Sequence, residues 1–512
     1  MSNGHAAPPG DVCLRARGLT KRFGPVTACG GVDLELRRGE ILALLGENGA
    51  GKTSLMAMLF GQYVPDAGGI EVAAAGGLVS LPPGRPAAAL AAGIGMVHQH
   101  FALAGNLSVL ENIVLGTRPL WSLSQRMRTA AAAVTALMAQ TGLSVPLHAR
   151  VGTLSVGEQQ RVELLRVLHR GTRILVLDEP TAVLTPQEAL GLFATLRRLA
   201  AGGLSVVFIS HKLHEVLDVA GRVVVLRAGR VVADQPVAGA DRASLSALMV
   251  GRSIAPSKRT PQVPGAPMLV LDRVSVAAPA GQVGVQEASL VVRAGEVVGV
   301  AGVAGNGQGR MAALLAGTAA PSSGRMTLHG AAVRASPGAM VAAGVARIPE
   351  DRHREGVVPG MTVAENLALE TLASPDVQRW GFLRFGRMRA RARAAIAAFD
   401  VRCPGPDARV GLLSGGNMQK VVLARAFGQS PRLVVASQPT RGLDVGAASE
   451  VHRLLLDARA RGAGVLLISE DLDEIFSLAD RVAVMAGGRL SDAGPVEVVT
   501  PERLGLMMAG AA

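Results

Sequence analysis

Gly46-Glu-Asn-Gly-Ala-Gly-Lys52-Thr53, directly after the apolar run Ile41–Leu45, decides how the rest of this 512-residue chain is read. A strand entering a glycine-rich turn that opens a helix gathers backbone N–H groups and a positive helix end around a phosphate. In such a loop Gly46, Glu47, Asn48, Gly49, Ala50 and Gly51 form the cradle. Lys52 reaches the β- and γ-phosphates, and the Thr53 hydroxyl ligates Mg²⁺. The chain has only five lysines, and residue frequencies put a chance match at roughly one in a hundred. A second turn, Gly302-Val-Ala-Gly-Asn-Gly307-Gln308-Gly309, stands 256 residues on. It has glutamine where the lysine belongs and glycine where the hydroxyl belongs. The pair predicts a duplicated ATPase with one working site and one crippled site.

The duplication runs the length of the chain. Arg38-Gly-Glu40 recurs as Ala294-Gly-Glu296, Leu154-Ser155 as Leu413-Ser414, and Asp178-Glu-Pro-Thr181 as Ser437-Gln-Pro-Thr440. Near-constant offsets mean one fold written twice in tandem. The expected organisation is a flexible tail over 1–10, a first ATPase domain over 11–252, a Pro/Ser/Lys/Arg-rich linker over 253–267 and a second domain over 268–512. Ile41 to Leu45, Ile174 to Leu177 and Val206 to Ile209 are short apolar runs ahead of polar loops. They alternate with helical stretches, as in a mostly parallel α/β sheet with its chemistry at the carboxyl ends of strands. Between Gln99 and Ser155 the strands stop and Ala/Leu/Met helices such as Gln125 to Thr141 take over, which predicts an inserted helical subdomain.

Composition narrows the function classes. The longest apolar run, Pro86 to Val97, is too short to span a membrane. Met1 to Arg15 lacks a hydrophobic segment, so no secretion signal is expected. Cys13, Cys29 and Cys403 are odd in number and far apart, which excludes a disulfide framework or zinc spacing and suits a reducing cytosol. The net charge is +13, but the arginines are scattered and aromatics make up only 3%. That reads as a solvated surface rather than a nucleic-acid interface, and attraction to an anionic membrane face is compatible with either.

Arg173-Ile-Leu-Val-Leu-Asp178-Glu179 is a buried-strand pattern ending in two carboxylates. Asp178 is placed for the Mg²⁺ shell and Glu179 for the attacking water, as general base. His211, after Ser205-Val-Val-Phe-Ile-Ser210, is placed for the γ-phosphate. Gln99, after Gly95-Met-Val-His, is placed between Mg²⁺ and the water. A lone His or Gln at a strand end is more often structural. Phe23 reads equally as an adenine-stacking ring or a core phenylalanine.

Leu154-Ser-Val-Gly-Glu-Gln-Gln-Arg161 and Leu413-Ser-Gly-Gly-Asn-Met-Gln-Lys420 resemble the signature motif of ABC transporter ATPases, and the order of all these motifs is that family's order. The resemblance implies two tandem ABC-type P-loop NTPase domains of α/β class. Each has a mostly parallel sheet core, an antiparallel β portion and an inserted helical subdomain. It also implies ATP and Mg²⁺ as cofactors, and head-to-tail pairing, in which each ATP lies between one copy's P-loop and the other's signature. The intact loop then faces Ser414, Gly415, Gly416 and Asn417. The defective one faces Ser155-Val156-Gly157-Glu158, where Val156 displaces a glycine. In the second copy Ser437, Gln438, Glu350 and Glu470 replace the metal aspartate, the base, the glutamine and the histidine, so the losses converge on one composite site.

Glu350-Asp-Arg352…Gly356, Ser469-Glu-Asp-Leu472 and Pro439-Thr-Arg-Gly-Leu-Asp444 are similar to the second half of importers for monosaccharides and nucleosides. Ala436-Ser-Gln-Pro439, and Thr185 where an aspartate is usual, favour the nucleoside branch. The resemblance implies two membrane permease subunits, an extracytoplasmic substrate-binding protein, no nucleic acid, and a peripheral place on the cytoplasmic membrane face. The rival is a soluble tandem ABC ATPase acting on ribosomes or DNA.

Overall fold

In the first half of the chain the apolar runs become the centre of a six-stranded sheet. Its order is Arg230–Pro236, Arg222–Arg227, Ile41–Leu45, Ser205–Ile209, Ile174–Asp178 and Ile94–Val97. All neighbours are parallel except the outermost Arg222–Arg227/Arg230–Pro236 pair. The central strands Ile41–Leu45, Ile174–Asp178 and Ser205–Ile209 are buried at every position, which is why they read as continuous apolar stretches rather than alternating ones. Leu42 and Leu44 face one core, while Ile41, Ala43 and Leu45 face another.

The Leu42 core is closed by a separate antiparallel sheet of Val26–Arg37, Val12–Phe23, Ala67–Ala74 and Gly77–Ser80, together with the helix Lys52–Leu59. The other core is closed by the helical part, Val109–Val114, Gln125–Thr141 and Val156–Leu168. This is a computed structural model that describes residues 10–74, 76–98, 101–117, 125–181, 184, 186–210, 212–251 and 259–508. Gln99, Thr185, His211, residues 253–258 and the expected tail before Gly10 lie outside the described residues.

The chain forms two compact units, 1–254 with 444–446, and 255–443 with 447–512. The second repeats the first. Val345–Ile348, Leu433–Ser437, Gly464–Ser469, Val297–Ala301 and Arg481–Ala486 make the parallel core. Pro267–Val276, Val285–Arg293 and Ser323–Leu328 make the antiparallel portion. One pairing, Gln286 with Arg489, joins the two portions into a single sheet that the first unit keeps as two. The basic stretch Arg384–Arg393 is the polar side of the helix Phe385–Ala398, which buries Met388 and Ala392.

Residues 260–267 are exposed, Arg259 is half-buried, and the segment is tied to the second unit. Arg259 donates to the Ala479 carbonyl and pairs with Glu497. The Thr260 carbonyl accepts from the fully buried Arg459 at 2.9 Å, and Gly265 N–H donates to Ala294 at 2.8 Å.

Candidate nucleotide site

The loop of the first unit owes its path to glycine. Gly46, Gly49 and Gly51 hold φ of 151°, 82° and 100°, a region that L side chains rarely enter. A Cβ on Gly51 would strike the Ala28 carbonyl, and one on Gly46 the Leu226 carbonyl. Gly51 caps the helix Lys52–Leu59 without a side-chain hydrogen bond, and no acidic residue occupies the first turn. The leading N–H groups and the positive helix end therefore stay open to an anion.

Lys52, 8% exposed, donates from Nζ to the carbonyls of Gly46 (2.7 Å) and Glu47 (3.0 Å). Burial pulls its amine below the ordinary lysine value, while Glu179 and Asp178 pull it back. Asp178, 7% exposed, is pushed up by burial and by Glu179, against the opposing Lys52 charge and a hydrogen bond from the Thr53 hydroxyl. Lys52, Thr53, Asp178 and Glu179 thus share one pocket of mutual influence. Glu179 holds φ 47° and donates its N–H to Ile209 at 3.1 Å.

One carboxylate and one hydroxyl form a hard-oxygen pair suited to Mg²⁺. Among the described residues no group of three or more His, Cys, Asp or Glu could hold a metal alone. Such a donor set fits a cation that arrives with phosphates and keeps several waters. Phe23 is 45% exposed, so the core alternative for this ring falls. It meets Tyr63 edge-on at 5.4 Å, on the hairpin that leads to Ala28 beside the loop.

The second unit keeps this backbone and loses its charge. Gly305 and Gly307 hold φ of 87° and 110°. Gln308 donates Nε2 to the Val303 carbonyl at 3.0 Å, as Lys52 does to Glu47, but its Oε1 is buried without a partner. Asn306 ties the loop to the distant turn after Arg481–Ala486 by accepting from Gly487 N–H at 2.9 Å. Gln438 repeats the left-handed geometry of Glu179, with φ 46° and an N–H bond to Ile468. Glu350 is committed to an ion pair with Arg441.

The two signature segments differ in a way their residue types only hint at. Ser155 caps the helix Val156–Leu168 in a complete capping box: Glu158 N–H donates to Ser155 Oγ at 3.3 Å, and Ser155 N–H donates to the Glu158 carboxylate at 2.8 Å. That carboxylate neutralises the helix end. Ser414 caps no N–H of the helix Gly415–Phe427, and its first turn carries no acid. Asn417 instead donates to Ser414 Oγ at 2.9 Å and accepts from Arg402 N–H at 2.8 Å.

Sequence reasoning missed two buried glutamates that brace the loops after the strands. Glu215 accepts from Thr181 Oγ1 (2.6 Å) and Ser210 Oγ (2.8 Å), and Glu474 from Thr440 Oγ1 (2.9 Å) and Ser469 Oγ (2.6 Å). Their recurrence 259 residues apart was the available signal.

Among families, residues 29–182 and 285–441 match the model described as ABC transporter. The nucleoside import ATP-binding protein of Lactococcus lactis is 42% identical over 96% of this chain and 97% of its own length. The glucose import ATP-binding protein of Haloferax volcanii is 41% identical over 97% and 96%. The guanosine import ATP-binding protein of Bacillus subtilis is 40% identical over 96% of both. The solved archaeal ribosome recycling factor, in complex with a ribosomal stalk protein, aligns with a TM-score of 0.63 at 18% identity, covering 96% of this chain and 92% of that one. At that identity the likeness is one of fold.

Proposed function

We infer that this chain, which belongs to the ABC transporter family, is the ATP-hydrolysing subunit of an importer for a nucleoside or a simple sugar. The observation that carries the reading is the group of buried Lys52 and Asp178 with half-buried Glu179 and exposed Thr53, set beside a second copy that keeps the same backbone without the charges. Full-length identity near 40% to nucleoside and sugar import proteins supports import over ribosome or DNA work. Two nucleoside-type importers among these relatives, with the Ser437-Gln438 substitution, favour a nucleoside.

The chemistry follows from the site. Lys52 and the open helix end receive the β- and γ-phosphates, and Phe23 stacks on the base. Glu179 takes a proton from the attacking water, with His211 and Gln99 as its proposed neighbours. Thr53 and Asp178, with Gln99, would hold Mg²⁺, which when bound would neutralise charge on the phosphates. Ser414, Gly415, Gly416 and Asn417 complete this site from the second unit, a pairing supported by their uncapped, acid-free helix start. Two permease subunits and an extracytoplasmic binding protein are the proposed partners, with the chain peripheral on the membrane. Among the described residues no helix is long and apolar enough to cross one.

Reconstitution with its permeases and binding protein in vesicles tests this. Glu179→Gln should keep ATP binding while uptake of labelled nucleoside and ATP turnover fall by about 10²–10⁴-fold, the share of a general base. Undiminished uptake in that variant overturns the reading.

A further inference from the structure

We propose that Arg352 is a positioning residue for hydrolysis at the first loop. It clamps the start of the second unit's signature helix to the loop that follows the strand Leu433–Ser437. The role rests on the pairing of that signature with the first loop proposed above.

The position of Arg352 comes from an insertion. Arg166 donates to the Ala102 carbonyl and Arg425 to the Gly356 carbonyl, both at 2.6 Å, so Ala102 and Gly356 are equivalent points. Asn112 holding Ala104 and Asn366 holding Val358 extend the same register. The preceding strands end at Val97 and Ile348. Five steps separate Val97 from Ala102 and eight separate Ile348 from Gly356, so the second copy carries three extra residues. A single π turn, Arg352–Gly356, takes them up, and the Asp351 carboxylate caps it by accepting from His353 N–H (2.9 Å) and Arg354 N–H (3.1 Å). Inserted π turns tend to occur where a fold serves a function.

From that turn the guanidinium reaches two elements at once. Nη1 donates to the Arg441 carbonyl at 3.0 Å. On its other side it lies against Gly415, the first residue of the signature helix: a Cβ there would sit 3.0 Å from Nη2 and 3.3 Å from Nε. Gly442 is beside the same Nη2, at 3.5 Å from its own would-be Cβ. Nε is buried with no hydrogen-bond partner. The adjacent Glu350–Arg441 ion pair ties the segment that carries the turn to the same Arg441 loop.

A planar, permanently charged group fits flat against bare backbone, and glycine alone leaves room for it. The first copy has neither half of this arrangement. Its equivalent turn lacks the three residues, and Val156 stands where Gly415 does. Arginine and glycine are present together or absent together. They are present in the signature that the proposed pairing assigns to the working loop. The clamp holds the helix start in the geometry the nucleotide requires, and ties it to Glu350–Gly356, so a displacement of that segment reaches Gly415.

The test uses the full-length chain assembled with its permeases, comparing wild type, Arg352→Ala, Arg352→Lys and Ser414→Arg. Arg352→Ala should lower kcat for ATP by about tenfold to a hundredfold, the penalty of a small misplacement. KM should change less than twofold, because the first loop holds ATP. Arg352→Lys should not restore kcat, since a point charge cannot span both contacts. Gly415→Ala should cost less kcat in the Arg352→Ala background than in wild type, because its Cβ then has no guanidinium to displace. If Arg352→Ala lowers the Tm, Arg352→Lys at unchanged Tm carries the comparison. Wild-type kcat in Arg352→Lys, or additive losses in the double variant, overturns the clamp while Ser414→Arg still abolishes turnover. Full turnover in Ser414→Arg sinks the pairing itself.

Discussion

Glu179 and Gln438 end equivalent strands in the same left-handed conformation, φ 47° and 46°. For residues with a Cβ that conformation costs about 1–3 kcal/mol each. The first copy gains a carboxylate aimed out of the sheet. The second retains the strain without the chemistry, because the N–H bonds to Ile209 and Ile468 belong to the strand path rather than to catalysis. Cysteine burial is likewise local. Cys29 is fully buried beside Gly51, and burial pushes its thiol up to about 11; Cys13 is raised for the same reason, while Cys403 is half-buried. At pH 8 roughly one Cys29 in a thousand is thiolate. A thiol reagent should therefore label Cys403 in the native protein, with Cys13 and Cys29 reacting only after unfolding; rapid native labelling of Cys29, read by peptide mass, contradicts this. In the unfolded chain the Cys29 thiol ionises near the ordinary thiol value of 9.0. Its burial therefore stabilises fully below that pH, and the contribution fades as pH climbs through about 11.

Elements differ where a single residue sets a helix end. Glu158 completes a capping box and leaves its helix start neutral, whereas Asn417 leaves the matching start open. Asn417→Glu should create the missing box and raise the Tm of the second unit by roughly 2–4 °C, given about 1 kcal/mol for a cap. The same carboxylate would face the nucleotide in the proposed pairing. Turnover should fall by roughly tenfold or more, as when one charge-stabilising donor is lost. Scanning calorimetry and a phosphate-release assay separate the two effects; a more stable variant with full turnover contradicts the role given to this helix. Strands and loops were legible in the sequence because a buried parallel strand is a short apolar run and a phosphate loop is a fixed glycine spacing. Ser155 and Ser414 were not distinguishable as caps, since both open a signature helix and only the bonds of Glu158 and Asn417 separate them.

At the scale of the molecule, one architecture occurs twice with its charges distributed unequally. If hydrolysis occurs only where the first loop meets the second signature, Ser414→Arg should abolish turnover while Ser155→Arg lowers it only a few-fold, the steric and charge change being alike. Comparable losses, measured as kcat in the assembled transporter, contradict the asymmetry. The sequence by itself determined the duplication, the α/β class and the loss, in the second copy, of the loop lysine and hydroxyl and of both strand-end carboxylates. Those properties lie in the order and type of residues along short segments. The tertiary structure decided which serine caps its own helix, that Glu215 and Glu474 brace paired loops, and that three extra residues bring Arg352 onto Gly415. These depend on contacts between segments tens of residues apart, and on how a turn takes up its length, which spacing within a motif does not encode.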